Sequence, residues 1–295
     1  MNLYKKLMVA LDRSGNDAGL IQYAAGIVRL GTVSEVCFAH VLADESESRE
    51  AALRDLETAV RLHGAEITAV SVSRDVLHGP LTDALLAHAA EKHTDLLLVG
   101  HRTEPGNRKP LARRLAMQAT CSVWMVPAGA PATVGRILVP IDFSEMAADS
   151  LQVAASIARL HGAAECFALH VYFNEAVATY EGYDSVLRGE EEKEYERFAA
   201  SIDLQGVSVT PLFNECAIVS HAIAREASRV KADLIVMATR GRSRSSSILL
   251  GSVTERMIDE THLPLLAVKH FGAQMNVLEA LLDRRFREKG ELRAD

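Results

Sequence analysis

Cysteine is scarce: four thiols in 295 residues, at positions 37, 121, 166 and 216. No two form a C-x-x-C pair, so neither a zinc knuckle nor a redox dithiol is supported. Each is read as a small buried hydrophobe in a reducing, cytoplasmic compartment. Long apolar runs are missing as well. Stretches such as Leu96 to Val99 and Leu234 to Met237 fall far short of the roughly 18–20 residues of a membrane span, so no membrane association is expected. Positive charge is not in excess, with 32 Lys and Arg against 39 Asp and Glu and a net charge of −7. That balance excludes a broad basic footprint for nucleic acid. The first residues run directly into a strand-like segment, so no signal peptide is expected. Several catalytic signatures are absent too: there is no G-K-[ST] of a Walker A loop, no G-x-S-x-G elbow and no S-G-G-x-D-S loop.

What is present is a repeat. Leu7-Met8-Val9-Ala10-Leu11-Asp12 recurs as Ile137-Leu138-Val139-Pro140-Ile141-Asp142, and Phe38-Ala39-His40-Val41 as Ala168-Leu169-His170-Val171. Thr94-Asp95-Leu96 to Gly100 matches Ala232-Asp233-Leu234 to Ala238, and Val123 to Val126 matches Leu265 to Val268. Each copy alternates short apolar strands with amphipathic helices. In the first copy, strands are expected near 6–11, 35–42, 66–73, 95–100 and 122–127, with helices including Ala18 to Val28 and Leu81 to Ala90. This pattern predicts an α/β fold: two tandem copies of a five-stranded, mostly parallel sheet with helices on both faces. Pro127 to Ala132, rich in Pro, Ala and Gly, marks the boundary. The division is 1–130, 134–270 and a tail 271–295, in which Met275, Leu278, Leu281, Leu282 and Phe286 follow helical spacing.

Ligands of such sheets bind beyond the carboxyl ends of the strands. The sharpest signal there is the loop Ala238-Thr239-Arg240-Gly241 through Gly251-Ser252-Val253-Thr254. Glycine lets a backbone approach phosphate, and free amides at a helix start favour negative charge. Ser252 and Thr254 can add hydroxyls, and Arg240, Arg242 and Arg244 can add charge. The alternative is a solvated Ser/Arg loop ending in an ordinary Ser N-cap.

These residues resemble the universal stress protein family in its tandem form. ATP-binding members carry G-x-x-G, nine residues, then G-[ST]. Here Gly241 and Gly251-Ser252 are separated by nine residues, Arg242 to Leu250, and Ala238 replaces the first glycine. The resemblance implies a Rossmann-like domain of the adenine nucleotide alpha hydrolase type that binds ATP with Mg2+ or Mn2+. It places Pro140 and Val171 beside the adenine and Asp142 at the nucleoside end. Ala238 and Gly241 would let the backbone pass the ribose and phosphates, with Arg240 between them adding charge on its chemistry alone, and Gly251, Ser252, Val253 and Thr254 would hold the phosphates. It also implies pairing of the two copies through their last strands and a homodimer of chains, with a further protein partner to be regulated. In the first copy, Thr103 stands for the second glycine and Lys109-Pro110 for Gly-Ser, so that copy is not expected to bind ATP in the family manner.

No residue stands out as a general base, so no catalytic residue is assigned; turnover would be at most slow hydrolysis or autophosphorylation on Ser243, Ser245, Ser246 or Ser247. His40 and His170, inside apolar strands, are read as satisfied sheet-end residues, and no metal site is expected around them. Arg108, Lys109, Arg113 and Arg114 are read as a solvated helix face, as is the charge run Glu190 to Arg197. Tyr180, Tyr183 and Tyr195 are weighed as a lid. Two alternatives to ATP binding stay open: a nucleotide-free interaction scaffold, and a binder of another adenine nucleotide such as AMP or a cyclic nucleotide.

Overall fold

The computed structural model describes residues 4–42, 44, 47–101, 111–162, 164–173, 183–241 and 250–269. The first copy runs β1 (Lys6–Ala10), α1 (Asp17–Arg29), β2 (Glu35–Val41), α2 (Arg49–His63), β3 (Ser71–Leu77), α3 (Leu81–Glu91), β4 (Leu96–His101), α4 (Leu111–Gln118) and β5 (Ser122–Pro127). The second runs β6 (Arg136–Ile141), α5 (Glu145–His161), β7 (Glu165–Tyr172), α6 (Tyr183–Ala200), β8 (Val209–Glu215), α7 (Val219–Val230), β9 (Leu234–Ala238), α8 (Ser252–Glu260) and β10 (Leu265–Val268). The tail from 271, the serines 243–247, Tyr180 and the loop 102–110 lie outside the described residues. Among the described residues, no helix is long and apolar enough to cross a membrane.

All ten strands join one sheet, in the order β3-β2-β1-β4-β5-β10-β9-β6-β7-β8. Every pairing is parallel except the central one, where β10 runs antiparallel to β5 with Leu266 opposite Trp124. The last strands of the two copies thus meet, giving the pairing that the resemblance implies. Two cores follow from the period-2 alternation of the strands. Leu96 and Leu98 enter one, with α1 and α5, while Leu97 and Val99 enter the other, with α3, α4 and α8. Both cores contain residues of both copies. Trp124, 1% exposed, closes the first against Tyr23 in an edge-to-face contact at 5.6 Å.

The repeated Asp before β4 and β9 has a structural task. Asp95 accepts the amides of Lys5 and Lys6, each at 2.9 Å, and Asp233 those of Gly135 and Arg136 at 2.8 and 3.0 Å. Each carboxylate thereby ties the start of its copy's first strand to the next strand in the sheet.

Four expectations are revised. The third strand is Ser71–Leu77 rather than 66–73, because Ile67 donates back to Gly64 at 2.8 Å and Ala69 is left-handed at φ 62°, so a turn occupies the earlier apolar residues. Arg113 is not on a solvated face: it bridges to Glu255 and Asp259 of α8, across the copies. The charge run lies on α6, but Glu191 is not merely solvated; its carboxylate is 3.1 Å from His170 Nε2. Tyr195 packs edge-on to Phe213 at 6.1 Å and is 9% exposed, so it serves its own core and not a lid.

Candidate functional site

The first and second strands of each copy end in the same construction. In the second copy, Asp142 follows β6 and its Oδ1 accepts from the Ser144 amide at 3.1 Å and the Ser144 hydroxyl at 2.6 Å. Ser144 then caps α5, accepting from the Ala147 amide. In the first copy, Asp12 Oδ1 accepts from the Ser14 amide at 3.0 Å. Between Asp and Ser the chain turns through a left-handed residue, Arg13 at φ 61° and Phe143 at φ 60°. Such strain in a side-chain-bearing residue persists only where surrounding contacts enforce it. Here the histidines contribute. His40 Nδ1 meets the Leu11 carbonyl at 2.9 Å, and His170 Nδ1 meets that of Ile141 at 3.1 Å. His170 also stacks on Phe143 at 4.2 Å. His170 is therefore a satisfied sheet-end residue, its Nε2 3.1 Å from Glu191, whereas His40 is satisfied at Nδ1 only, its buried Nε2 lying 4.0 Å from the Glu47 carboxylate without a hydrogen bond among the described residues.

In the second copy, β9 lies beside β6 and ends at Ala238, next to Asp142. Gly241 lies close to the same carboxylate: a Cβ on it would lie 2.7 Å from Asp142 Oδ2, so any larger residue there must displace that oxygen. Gly251 leads into α8 and is hooked back, its amide donating to the Thr239 carbonyl at 2.8 Å. Thr254 is buried and donates its hydroxyl to the Ala238 carbonyl, also at 2.8 Å. That hydroxyl proton is committed to the backbone, so the residue offers an anion its amide. Ser252 to Thr254 form the first turn of α8, ahead of the helix's own hydrogen-bond ladder. Ser252 is exposed, and Arg240, half-buried, stands beside it in the fold. Pro140 and Val171, each half-buried, lie on β6 and β7 at the same edge. The strands thus bring the named residues to one sheet edge, and residues 242–249 lie outside the description.

Gly251 differs from Gly241. Its backbone, at φ −64° and ψ 141°, suits any residue, and among the described residues a Cβ there would come no nearer than 3.6 Å to another atom, an ordinary van der Waals contact. Neither its conformation nor its neighbours demand glycine.

In the first copy, a cavity of about 360 Å3 opens at the corresponding place. It is lined by Asp12, Asn16, Asp17, Gly100, His101 and Arg114, among others. Burial pushes the Asp17 carboxyl up to about 6, and the charge of Asp12 adds to this against the amide bonds it accepts. His101 is 3% exposed, its pKa lowered by burial. Two carboxylates on the wall oppose a polyanion. Ala112 stands where the second copy has Thr254, so the hook onto the strand end is absent from that helix.

A family model described as the universal stress protein family matches residues 3–127 and again 133–269. The chain belongs to the universal stress protein family. It is 31% identical over 140 residues to universal stress protein MJ0531 of Methanocaldococcus jannaschii, which spans 45% of this chain and 81% of that protein. A universal stress protein of Thermus aquaticus is 32% identical over 141 residues, 45% of this chain and 97% of its own length. Each relative therefore corresponds to about one of the two copies. The crystal structure of a universal stress protein from Archaeoglobus fulgidus covers 90% of this chain and 96% of its own at a TM-score of 0.63. At 17% identity, that likeness is one of fold. It extends over both universal stress protein repeats.

The sequence reading missed one group of polar residues on this scaffold. Cys37, Asp75 and His88 come from β2, β3 and α3 and meet in space. Nothing in their linear spacing signals the meeting, which depends on the register of β2 with β3.

Proposed function

We propose that this stress protein binds ATP with Mg2+ (or Mn2+) in its second copy, residues 134–270, and that occupancy governs its shape or choice of protein partner. The first copy, residues 1–130, serves as a companion domain without a family-type triphosphate site. The observation that carries the reading is Gly251. Among the described residues neither its backbone nor its packing requires glycine, and it is set where a helix start faces a strand end, so the close approach of a ligand is the reason we assign to it. The amides of Ser252, Val253 and Thr254 and the Arg240 guanidinium suit phosphate there. Pro140 and Val171 offer apolar contact for adenine, and Asp142 lies at the nucleoside end. Mg2+ would be held chiefly by phosphate oxygens and water, in keeping with its reluctance to enter all-protein cages; it would neutralise the triphosphate charge. A homodimer of chains would need another surface, because β5 and β10 are already paired within one chain.

The test is direct. Freshly purified protein is denatured and the released nucleotide is identified by chromatography and mass. Close to one ATP per chain is expected. Two per chain would restore the first copy as a site. None, with no thermal shift on adding ATP and Mg2+, would favour the nucleotide-free scaffold, and recovery of AMP or a cyclic nucleotide would change the ligand. A Gly251→Asp variant places a carboxylate in the phosphate path and should abolish ATP binding.

A further inference from the structure

On the sheet face that carries α3, three side chains from three elements converge. Cys37 Sγ lies 3.3 Å from Asp75 Oδ2 and 3.7 Å from His88 Nε2, and His88 Nε2 is 2.9 Å from the same carboxylate oxygen. All the donor atoms lie within 4.8 Å of one another. The thiol is buried and the His88 side chain is 11% exposed, so this is no solvated surface cluster. Lys92 Nζ stands 3.3 Å from Asp75 Oδ2, and the Glu91 carboxylate is 3.7 Å from His88 Nδ1.

We infer that Cys37 Sγ, Asp75 Oδ2 and His88 Nε2 form a site for a borderline divalent cation of the Zn2+ class, with a fourth position open to water. Zn–S near 2.3 Å and Zn–N and Zn–O near 2.0 Å in a tetrahedron put sulfur about 3.5 Å from each partner and nitrogen about 3.3 Å from oxygen. The distances in the protein match within about 0.4 Å, a side-chain adjustment. The mixed S, N and O donor set suits Zn2+ and Co2+ better than Mg2+ or Ca2+. Thiolate and carboxylate together balance a divalent charge, so the site carries no net buried charge. Glu91 stands where an outer carboxylate would orient the imidazole. Lys92 serves as the cation at Asp75 until the metal displaces it, and the Cys37 proton leaves to solvent as the metal binds.

The second copy shows that the fold does not need this cluster. Cys37 lies three residues before His40, and its counterpart three before His170 is Phe167. Asp75 lies one residue before Val76, the partner of His40; its counterpart before Phe213 is Leu212. His88 precedes the buried Ala89, and Glu226 precedes the buried Ala227. Phe167 and Leu212 pack against the core, and Glu226 is taken by Asn214 and Arg229. A nucleophilic triad is not what the geometry offers, because Asp75 and Cys37 share one ring nitrogen of His88. Burial also holds the free thiol protonated, pushed up to about 11.

The experiment titrates Co2+, then competing Zn2+, into the reduced, nucleotide-free full chain. One equivalent of Co2+ should give tetrahedral d–d bands and a thiolate-to-cobalt charge-transfer band. Cys37→Ser should lose the charge-transfer band. His88→Gln, whose thiol is intact, should weaken binding by more than the roughly 10–100-fold that outer-shell changes cost. Cys216→Ser and Gly251→Asp should leave the spectrum unchanged, so this site stands or falls separately from the nucleotide site. Zn2+ should raise the unfolding midpoint of the wild type and not of His88→Gln. Absence of the bands with excess Co2+, or their survival in Cys37→Ser, overturns the assignment.

Discussion

Gly241 and Gly251 look alike in a motif and differ in the folded chain. At 241 the constraint is internal, because Asp142 Oδ2 occupies the space a methyl would need. At 251 a methyl would make only ordinary contacts with the described residues, 3.6 Å or more from each. Gly241→Ala should therefore destabilise the ligand-free protein by about 1 kcal/mol or more, as overpacking does, while Gly251→Ala leaves its melting temperature unchanged. The reverse split is expected in ATP affinity, where Gly251→Ala should show the larger loss. Thermal unfolding without nucleotide, followed by titration of both variants, checks the pair; equal melting temperatures would discard the distinction. The motif spacing was legible because it is local. The reason for each glycine was not, since Asp142 lies about a hundred residues away from Gly241 in the chain. The same limit hid the cluster around Cys37, whose three members are assembled by strand register rather than by sequence.

At the scale of the element, strands with continuous apolar runs were readable and edge strands less so. β1, β4, β6 and β9 are buried on both faces and announce themselves as Val, Leu and Ile runs. β3 lies at the sheet edge, mostly half-buried, and its Ser-Val-Ser-Arg-Asp sequence carries little of that signal. Helix starts carry a different kind of information. The first turn of α1 buries Asp17, which accepts from the Asp12 and Arg13 amides at 3.2 and 2.9 Å. Burial, then the charge of Asp12, raises its carboxyl to about 6, above an unfolded value near 3.9. The folded chain then holds more protons than the unfolded one between those limits. Stability should fall as pH rises from about 4 to about 6. Asp17→Asn should flatten that slope in chemical denaturation at a series of pH values, whereas an unaltered slope would place the titration elsewhere.

At the scale of the whole molecule, the antiparallel seam between β5 and β10 joins the two copies in one sheet, and they are expected to unfold as one body. Both cores draw residues from both copies, and Arg113 ties α4 to α8. Pairing of the last strands followed from the family resemblance; that the two halves share cores across the seam did not, because composition and periodicity describe each half alone. Ala267→Pro removes an amide opposite Val123 at the seam, and a proline inside a sheet costs about 3 kcal/mol or more by analogy with helix interiors. The chain has a single tryptophan, Trp124, on the other side of the seam. Its fluorescence and the far-ultraviolet signal should shift together in this variant, as one transition. Two separated transitions in the wild type would show independent halves.

Fusing the halves through that seam also fixes a stoichiometry. In a pair of identical subunits every substitution appears twice, once on each side of the axis. Here Gly251-Ser252 corresponds in sequence to Lys109-Pro110, and Cys37 to Phe167, with no symmetry to restore the match. A ligand specific to one half is therefore taken up in a ratio of one per chain, and the axis that relates the backbones relates no pair of equivalent sites. Each half is free to drift toward its own chemistry while the other keeps the shared sheet intact.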